Sequence, residues 1–175
     1  MSVLISCLVS CLTAVAAMAE TAPAPLGPED EALCPAEISS ELFDALIGWI
    51  AINTSYDVSQ TYRSPPEIFF CDTGAIVPYD EGELLVDTML DAVFDLRRRR
   101  VYLVFPWSPD DDFDVSVLLH ELIHDVQHIN RDWDCIGEPE LEAYWLQDKW
   151  LSEKGLVSNF NWLAILQLST CPKSE

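Results

Sequence analysis

Apolar residues recur at helical spacing soon after the apolar N-terminus of the chain. They are Phe43, Leu46, Ile47 and Ile50. Intervals of three and four residues place such side chains on one face of a helix, so the pattern predicts an amphipathic helix over about residues 40–53. Either Ser39 or Ser40 can cap the N-terminus of this helix with its hydroxyl group.

Short runs of β-favouring residues follow the predicted helix. The strand-like runs are residues 67–71, 92–95 and 101–105, with residues 75–77 continuing the first run beyond a turn at Thr73-Gly74. The second and third runs are joined through four consecutive arginines, Arg97 to Arg100. Pro106 ends the last run because proline lacks the backbone N–H that a sheet requires.

Two helices are predicted after the last strand. An acidic turn at residues 108–112 places negative charge at the favourable N-terminal end of a helix, and apolar residues from 115 to 126 cover one of its faces. We expect this helix to end near residue 129. A loop at residues 131–137 leads to a second helix, which runs from Pro139 to about Leu151. Strands followed by packed helices are typical of an α+β domain.

The first nineteen residues carry no charged side chain and end in Ala17-Met18-Ala19, which is typical of a signal peptide cut before Glu20. This predicts a secreted or periplasmic protein. Leu8-Val9-Ser10-Cys11 also resembles a lipoprotein cleavage box, so we expect membrane attachment only if Cys11 is lipidated. Residues 20–38 are rich in Pro, Ala and acidic groups and predict an extended segment. A single domain over residues 39–175 is expected to follow.

Charge excludes one class of partner. The chain has 30 acidic and 9 basic residues, a formal net charge of −21, so it would repel the phosphates of nucleic acid. Arg97 to Arg100 form the one concentrated positive charge in this acidic sequence. Two interpretations stay open: a solvated loop paired with neighbouring carboxylates, or a site that captures an anionic or C-terminal carboxylate group.

Removal of the leader would leave an even number of cysteines. They are Cys34, Cys71, Cys135 and Cys171. In an oxidising compartment this predicts two disulfides, and the three ways of pairing them stay open. Zinc binding by these cysteines is the weaker interpretation, because none falls in a Cys-x-x-Cys pair.

The strongest chemical signal is His120-Glu121-Leu122-Ile123-His124, within the first of the two late helices. At 3.6 residues per turn, the two histidines project about 40° apart from successive turns and can share one metal ion. Neutral imidazole is a good zinc ligand. Glu121 can then stand beside the coordination position where a water molecule binds, as a general base.

This motif resembles that of the zincin superfamily of metallopeptidases, in which an HExxH helix supplies two zinc ligands and the base. The resemblance covers about residues 90–151 and implies a small zincin-like α+β domain. In such a domain the active-site helix and a ligand helix pack against a short, mostly antiparallel sheet, with disulfides stabilising the whole. Residues 101–105 resemble the edge strand that binds substrate in that superfamily.

The third ligand distinguishes the branches of this superfamily. The metzincin extension fails because Asn130 stands where its third histidine would lie. The gluzincin pattern, a downstream Glu-x-x-(Ala/Ser)-Asp, is closer to the segment from Glu140 to Tyr144. This resemblance implies Glu140 as the third zinc ligand. Glu142 stays open as the alternative, because an error of one residue rotates the helix face by about 100°.

Two further side chains are candidates for the chemistry. Tyr144 stands where the gluzincin pattern has its Asp, and its hydroxyl could donate a hydrogen bond to an oxyanion. His128 lies one turn beyond His124 and could act as a proton donor or support a ligand. The distance along the helix axis argues against His128 as the third ligand.

These observations predict an exported, zinc-dependent metallopeptidase that hydrolyses peptide or protein substrates through a metal-activated water, with Glu121 as general base. The alternative is a non-catalytic exported binding module with a structural zinc. In that case His128 or Cys135 would close the coordination sphere with a fourth protein ligand. The sequence leaves the substrate and the oligomeric state open.

Overall fold

The structure is a computed structural model that describes residues 34–35 and 37–172. The helices of this part are Ser40–Asn53 (α1), Ser59–Arg63 (α2), Asp112–Asn130 (α3), Glu140–Glu153 (α4) and Trp162–Leu168 (α5). The strands are Cys34–Pro35 (β1), Glu67–Cys71 (β2), Ile76–Tyr79 (β3), Gly82–Leu85 (β4), Ala92–Asp95 (β5) and Arg100–Val104 (β6). The signal peptide predicted over residues 1–19 lies outside the described residues, as does nearly all of the extended segment over residues 20–38.

Four of the strands form one small, mostly antiparallel sheet in the order β1-β2-β6-β5. Only the β2–β6 pair is parallel, with Glu67 opposite Arg100 and Cys71 opposite Val104. β3 and β4 form a separate two-stranded hairpin. Five helices and this sheet confirm the predicted α+β class.

The expectation that residues 101–105 form an edge strand is wrong. β6 hydrogen-bonds to β2 on one side and to β5 on the other, so β6 is internal and β5 lies at one edge of the sheet. The side chains of Val101, Tyr102 and Leu103 are fully buried. A continuous buried run of this kind is typical of an internal strand, whereas an edge strand is usually shorter and more polar.

The N-termini of α1 and α3 are capped where the sequence predicts them. The Ser39 hydroxyl accepts a hydrogen bond from Leu42 N at 3.1 Å, and the Asp111 carboxylate accepts one from Phe113 N at 2.8 Å. Each cap satisfies a backbone donor that has no partner within the helix. The helices over residues 40–53 and to about 129 are therefore confirmed to within a residue or two.

α3 is the central element of the fold. It packs against α1, α4, β5 and β6, and its apolar residues from Val115 to Val126 belong to the main hydrophobic core. α1 contributes Ile47 and Ile50 to this core, and α4 contributes Leu146 and Leu151. Because neighbouring helices and strands cover α3 on several sides, its polar residues are buried as well.

Four elements of the structure are absent from the sequence prediction: β1, α2, β4 and α5. α2 has five residues and α5 has seven, too few for a helical period to show. β1 has two residues, and β4 has the short sequence Gly-Glu-Leu-Leu, in which polar and apolar residues do not alternate. The predicted continuation of the first strand over residues 75–77 is instead β3, the first strand of the separate hairpin. None of the helices in the described ranges is long and apolar enough to span a membrane.

Among the described residues, one disulfide forms, between Cys135 and Cys171. It ties the loop before α4 to the chain that follows α5, and Gly137 lies so close to the Leu168 carbonyl that a side chain there would collide with it. Cys71 is free and buried, which contradicts the expected second disulfide. Its side chain packs in a smaller hydrophobic cluster, separate from the main core, together with Phe69, Val77 and Tyr102.

The four consecutive arginines all pair with carboxylates. The pairs are Arg97 with Glu81, Arg98 with Asp95, Arg99 with Asp125 and Arg100 with Glu67. This agrees with the interpretation of an ion-paired loop. Arg99 makes two hydrogen bonds to Asp125, whose side chain is 1% exposed and also accepts from the Thr61 hydroxyl. Arg99 therefore anchors the turn before β6 to the buried centre of α3.

We predict that Arg99→Ala destabilises the fold far more than Arg97→Ala. Removal of Arg99 leaves the Asp125 carboxylate buried without its cation, at a cost of about 3 kcal/mol in the free energy of unfolding. The Arg97 pair is exposed, with both side chains more than half accessible, so its loss should cost less than about 1 kcal/mol. Urea unfolding of both variants measures the difference, and equal losses would contradict this account.

Candidate metal centre

His120 and His124 meet on one face of α3. Their Nε2 atoms lie 3.0 Å apart, and their rings stand nearly perpendicular with centroids 4.7 Å apart. A spacing of four residues places two side chains on successive helical turns, as the sequence predicts. Both side chains are buried, at 7% and 6% exposure.

A glutamine side chain contacts the Nδ1 atom of each histidine. His120 Nδ1 lies 3.1 Å from Gln147 Oε1, and His124 Nδ1 lies 3.0 Å from Gln127 Oε1. An amide oxygen can only accept a hydrogen bond, so each Nδ1 carries the ring proton. Each Nε2 therefore faces the other histidine and Glu140. It can donate a proton to the Glu140 carboxylate, and once that proton is displaced it offers the lone pair that a metal ligand needs.

The two glutamine amides are themselves oriented by hydrogen bonds. Gln147 Nε2 donates to the Ser116 hydroxyl at 3.0 Å, and Gln127 Nε2 donates to Pro139 O at 3.2 Å and to Glu142 Oε2 at 2.9 Å. Because the nitrogen of each amide is engaged in this way, its oxygen faces the histidine. Residues of α3 and α4 thus hold both imidazole rings in place.

Glu140 brings a carboxylate oxygen to the same point. Its Oε2 lies 3.3 Å from His120 Nε2 and 3.5 Å from His124 Nε2. Zinc bonds of about 2.0–2.1 Å at tetrahedral angles separate neighbouring donor atoms by about 3.3 Å. The three observed separations are close to this value, so these residues fit one zinc ion with a fourth position left for another ligand.

The electrostatics of the cluster favour a charged carboxylate beside neutral or cationic partners. Burial alone would raise the pKa of the Glu140 carboxyl, but hydrogen bonds from His120 and His124 outweigh it and hold this pKa well below its usual range. Burial lowers the pKa of His124, yet Glu140 outweighs that effect and the net shift is upward. A cation at the centre would replace the protons that this carboxylate attracts.

Glu121 stands beside this cluster with its carboxyl group in a water-accessible cleft. Two cavities, of about 250 and 290 Å³, meet at the site, and Glu121, His120 and Tyr144 line both of them. Burial raises the pKa of the Glu121 carboxyl, and the positive charge of the two histidines opposes this shift. A carboxyl with a raised pKa is a better proton acceptor near neutral pH.

Tyr144 and His128 line the same cleft, but Tyr144 lies closer to the candidate metal-binding histidines than His128 does. The Tyr144 ring packs edge-on against the His120 ring at 4.4 Å between centroids, and within residues 37–172 its hydroxyl group has no hydrogen-bond partner. Burial, Glu140 and Glu121 together raise the pKa of this hydroxyl. The His128 ring lies 6.4 Å from that of His124 and stacks on Phe94, so it lines the cleft outside the donor cluster.

The structure separates the two candidate glutamates on α4. Glu142 accepts hydrogen bonds from the Tyr56 hydroxyl at 2.6 Å and from Gln127. Its carboxylate therefore points away from the two histidine Nε2 atoms. Cys135 is in the disulfide and has no thiolate to offer. Among the described residues, the group of potential ligands within reach of one ion consists of His120, His124 and Glu140.

Sequence reasoning missed several residues of the site. The sequence prediction assigns no role to Gln147 or to Gln127, although Gln127 follows His124 by three residues and so lies on the same side of α3. Tyr79 and the edge strand β5 also line the first cavity. No local signal marks them, because β5 and the β3–β4 hairpin reach the site only through the fold.

These features define an α+β domain with a His-His-Glu candidate metal centre at the meeting point of two cavities. The family described as "Domain of unknown function (DUF6647)" matches residues 35–175, and the chain belongs to this family. No curated protein and no solved structure matches the chain.

We predict that Glu140→Gln weakens zinc binding by more than about a hundredfold. This exceeds the usual effect of changing a residue that only hydrogen-bonds to a metal ligand. The reason is that the substitution removes the charged donor oxygen. Glu142→Gln, two residues along α4, should weaken zinc binding by about tenfold at most, since Glu142 contacts only Gln127 of the site. Competition with a chromophoric chelator measures both affinities, and a larger loss in Glu142→Gln would reverse the assignment.

Proposed function

We propose that this chain is an exported, zinc-dependent hydrolase of peptide bonds, with an active site of the gluzincin type. The observation that carries the proposal is the convergence of His120, His124 and Glu140 donor atoms at zinc-ligand spacing, beside a buried carboxyl group in an open cleft. A purely structural zinc site usually has four protein ligands. Among the described residues, three side chains meet at this point, which leaves a fourth coordination position for a water molecule or substrate.

Each residue of the site has a distinct task in this proposal. Bound zinc would supply a Lewis acid that activates a water molecule and polarises the substrate carbonyl. Glu121 accepts the proton of the attacking water at its carboxylate and passes it to the nitrogen of the leaving amine. The Tyr144 hydroxyl donates a hydrogen bond to the negative charge that develops on the carbonyl oxygen.

The position of β5 supports an extended peptide as substrate. This strand forms one edge of the sheet, and Ala92, Val93 and Phe94 line the first cavity beside the histidines. Ala92 also lines the second cavity, so β5 runs past the site from one cavity to the other. An extended peptide can add to such an edge by backbone hydrogen bonds, which would bring a peptide bond to Glu121.

We expect Glu121→Gln to keep zinc and to lose hydrolysis. The substitution removes the proton acceptor without removing a donor atom, so zinc content should stay near one equivalent while the turnover of a labelled casein falls about 10²- to 10⁴-fold. Glu83→Gln, an exposed position on β4, serves as the matched control. A wild-type protein that binds zinc and cleaves neither casein nor a diverse peptide mixture would instead support a binding module.

Tyr144→Phe tests the proposed oxyanion contact. Loss of the hydroxyl group should lower kcat about 10²-fold with little change in KM, since the hydrogen bond forms mainly as charge develops on the carbonyl oxygen. Zinc affinity should not change, because the phenol is not a donor in the cluster. A rise in KM at constant kcat would show that Tyr144 only helps to hold the substrate.

A further inference from the structure

A second cleft lies on the side of α4 that faces away from the candidate metal centre. Its volume is about 580 Å³, and its walls include the rings of Trp133, Trp145 and Trp162. We call it the tryptophan cleft. Glu140 projects from the opposite face of α4 into the metal centre, so the two sites share the helix but not their surfaces.

The aromatic walls of this cleft are open to solvent. Trp145 is 55% exposed and Trp162 is 39% exposed. Large aromatic side chains contribute most when they are covered, so a concave group of them on the surface is typical of a ligand site. Both rings stand on helices, Trp145 in α4 and Trp162 at the start of α5, and these helices pack together.

The charges of the cleft leave one carboxylate uncompensated. The Arg131 guanidinium lies 3.5 Å above the Trp133 ring and pairs with Glu138, so its charge is already matched inside the cleft. Within residues 37–172, no basic side chain lies within ion-pair distance of Glu142. Both hydrogen bonds that Glu142 accepts go to Oε2, so its Oε1 is left for a ligand.

We propose that the tryptophan cleft binds an organic cation that carries a quaternary ammonium group. Aromatic faces attract such cations through the negative charge of their π-systems, and the Glu142 carboxylate adds a direct attraction. A primary ammonium group brings three N–H donors that all need acceptors. Arg131 already covers the Trp133 ring, so the cleft offers one free carboxylate oxygen and the exposed rings of Trp145 and Trp162. This set of groups suits a methylated cation without N–H groups. The net charge of −21 further favours the approach of cations.

The test uses the full chain with its disulfide intact and a chelator present, so that the result does not depend on the metal centre. Choline is titrated into the protein by calorimetry, alongside its uncharged analogue in which carbon replaces the quaternary nitrogen. We expect saturable binding of choline and binding of the analogue at least about tenfold weaker, since both fill the same space and only one carries the charge.

Variants then locate the binding. Trp145→Ala and Glu142→Gln should each weaken choline binding about tenfold or more, whereas Trp145→Phe should retain most of the affinity because it keeps an aromatic face. Trp145 is exposed, and the amide oxygen of Glu142→Gln can still accept from Tyr56 and Gln127, so both variants should fold, as circular dichroism can check. Glu83→Gln, exposed on the hairpin, is the charge-matched control and should bind as the wild type does.

Three results would overturn the proposal. They are the absence of saturable choline binding, equal binding of the uncharged analogue, and unchanged affinity in both Trp145→Ala and Glu142→Gln. The second result would mean that the cleft recognises apolar shape alone. The third would place the choline site elsewhere on this acidic surface.

Discussion

The structure depends on the burial of a polar stripe along its central helix. His120, Glu121, His124, Asp125 and Gln127 are all buried on α3, at exposures between 0% and 7%. A buried polar group costs several kcal/mol unless a partner satisfies it, and a buried charge costs more. α3 can therefore occupy the centre of the domain only where partner groups meet the two histidines, Asp125 and Gln127.

Those matching groups come from separate parts of the chain. α4 supplies Gln147 and Glu140 to the histidines, while the turn before β6 supplies Arg99 to Asp125 and α2 supplies Thr61. The same contacts that stabilise the core thus orient the imidazole nitrogens. Correct packing of α4 on α3 and assembly of the donor cluster are therefore one event.

Local sequence patterns predict most of the helices and strands and the part of the site that lies on α3. The serine before α1, the acidic turn before α3 and the period of their apolar residues act within one or two helical turns, so both helices were predictable. His120, Glu121 and His124 lie on a single helix, and their relative positions follow from its pitch. The disulfide pairing and the free state of Cys71 depend on distances between elements, and there the prediction of two bridges was wrong.

The sequence by itself determined the features that lie within one helix: an amphipathic α3 that carries two imidazoles and a carboxyl group on one side. Tertiary structure decided the rest. It turned Glu140 rather than Glu142 toward the histidines, made β5 rather than β6 an edge strand, and set Gln127 and Gln147 behind the rings. The physical reason is that helical periodicity relates residues a few positions apart, whereas the rotation of α4 and the order of strands follow from the packing of surfaces that are distant in the chain.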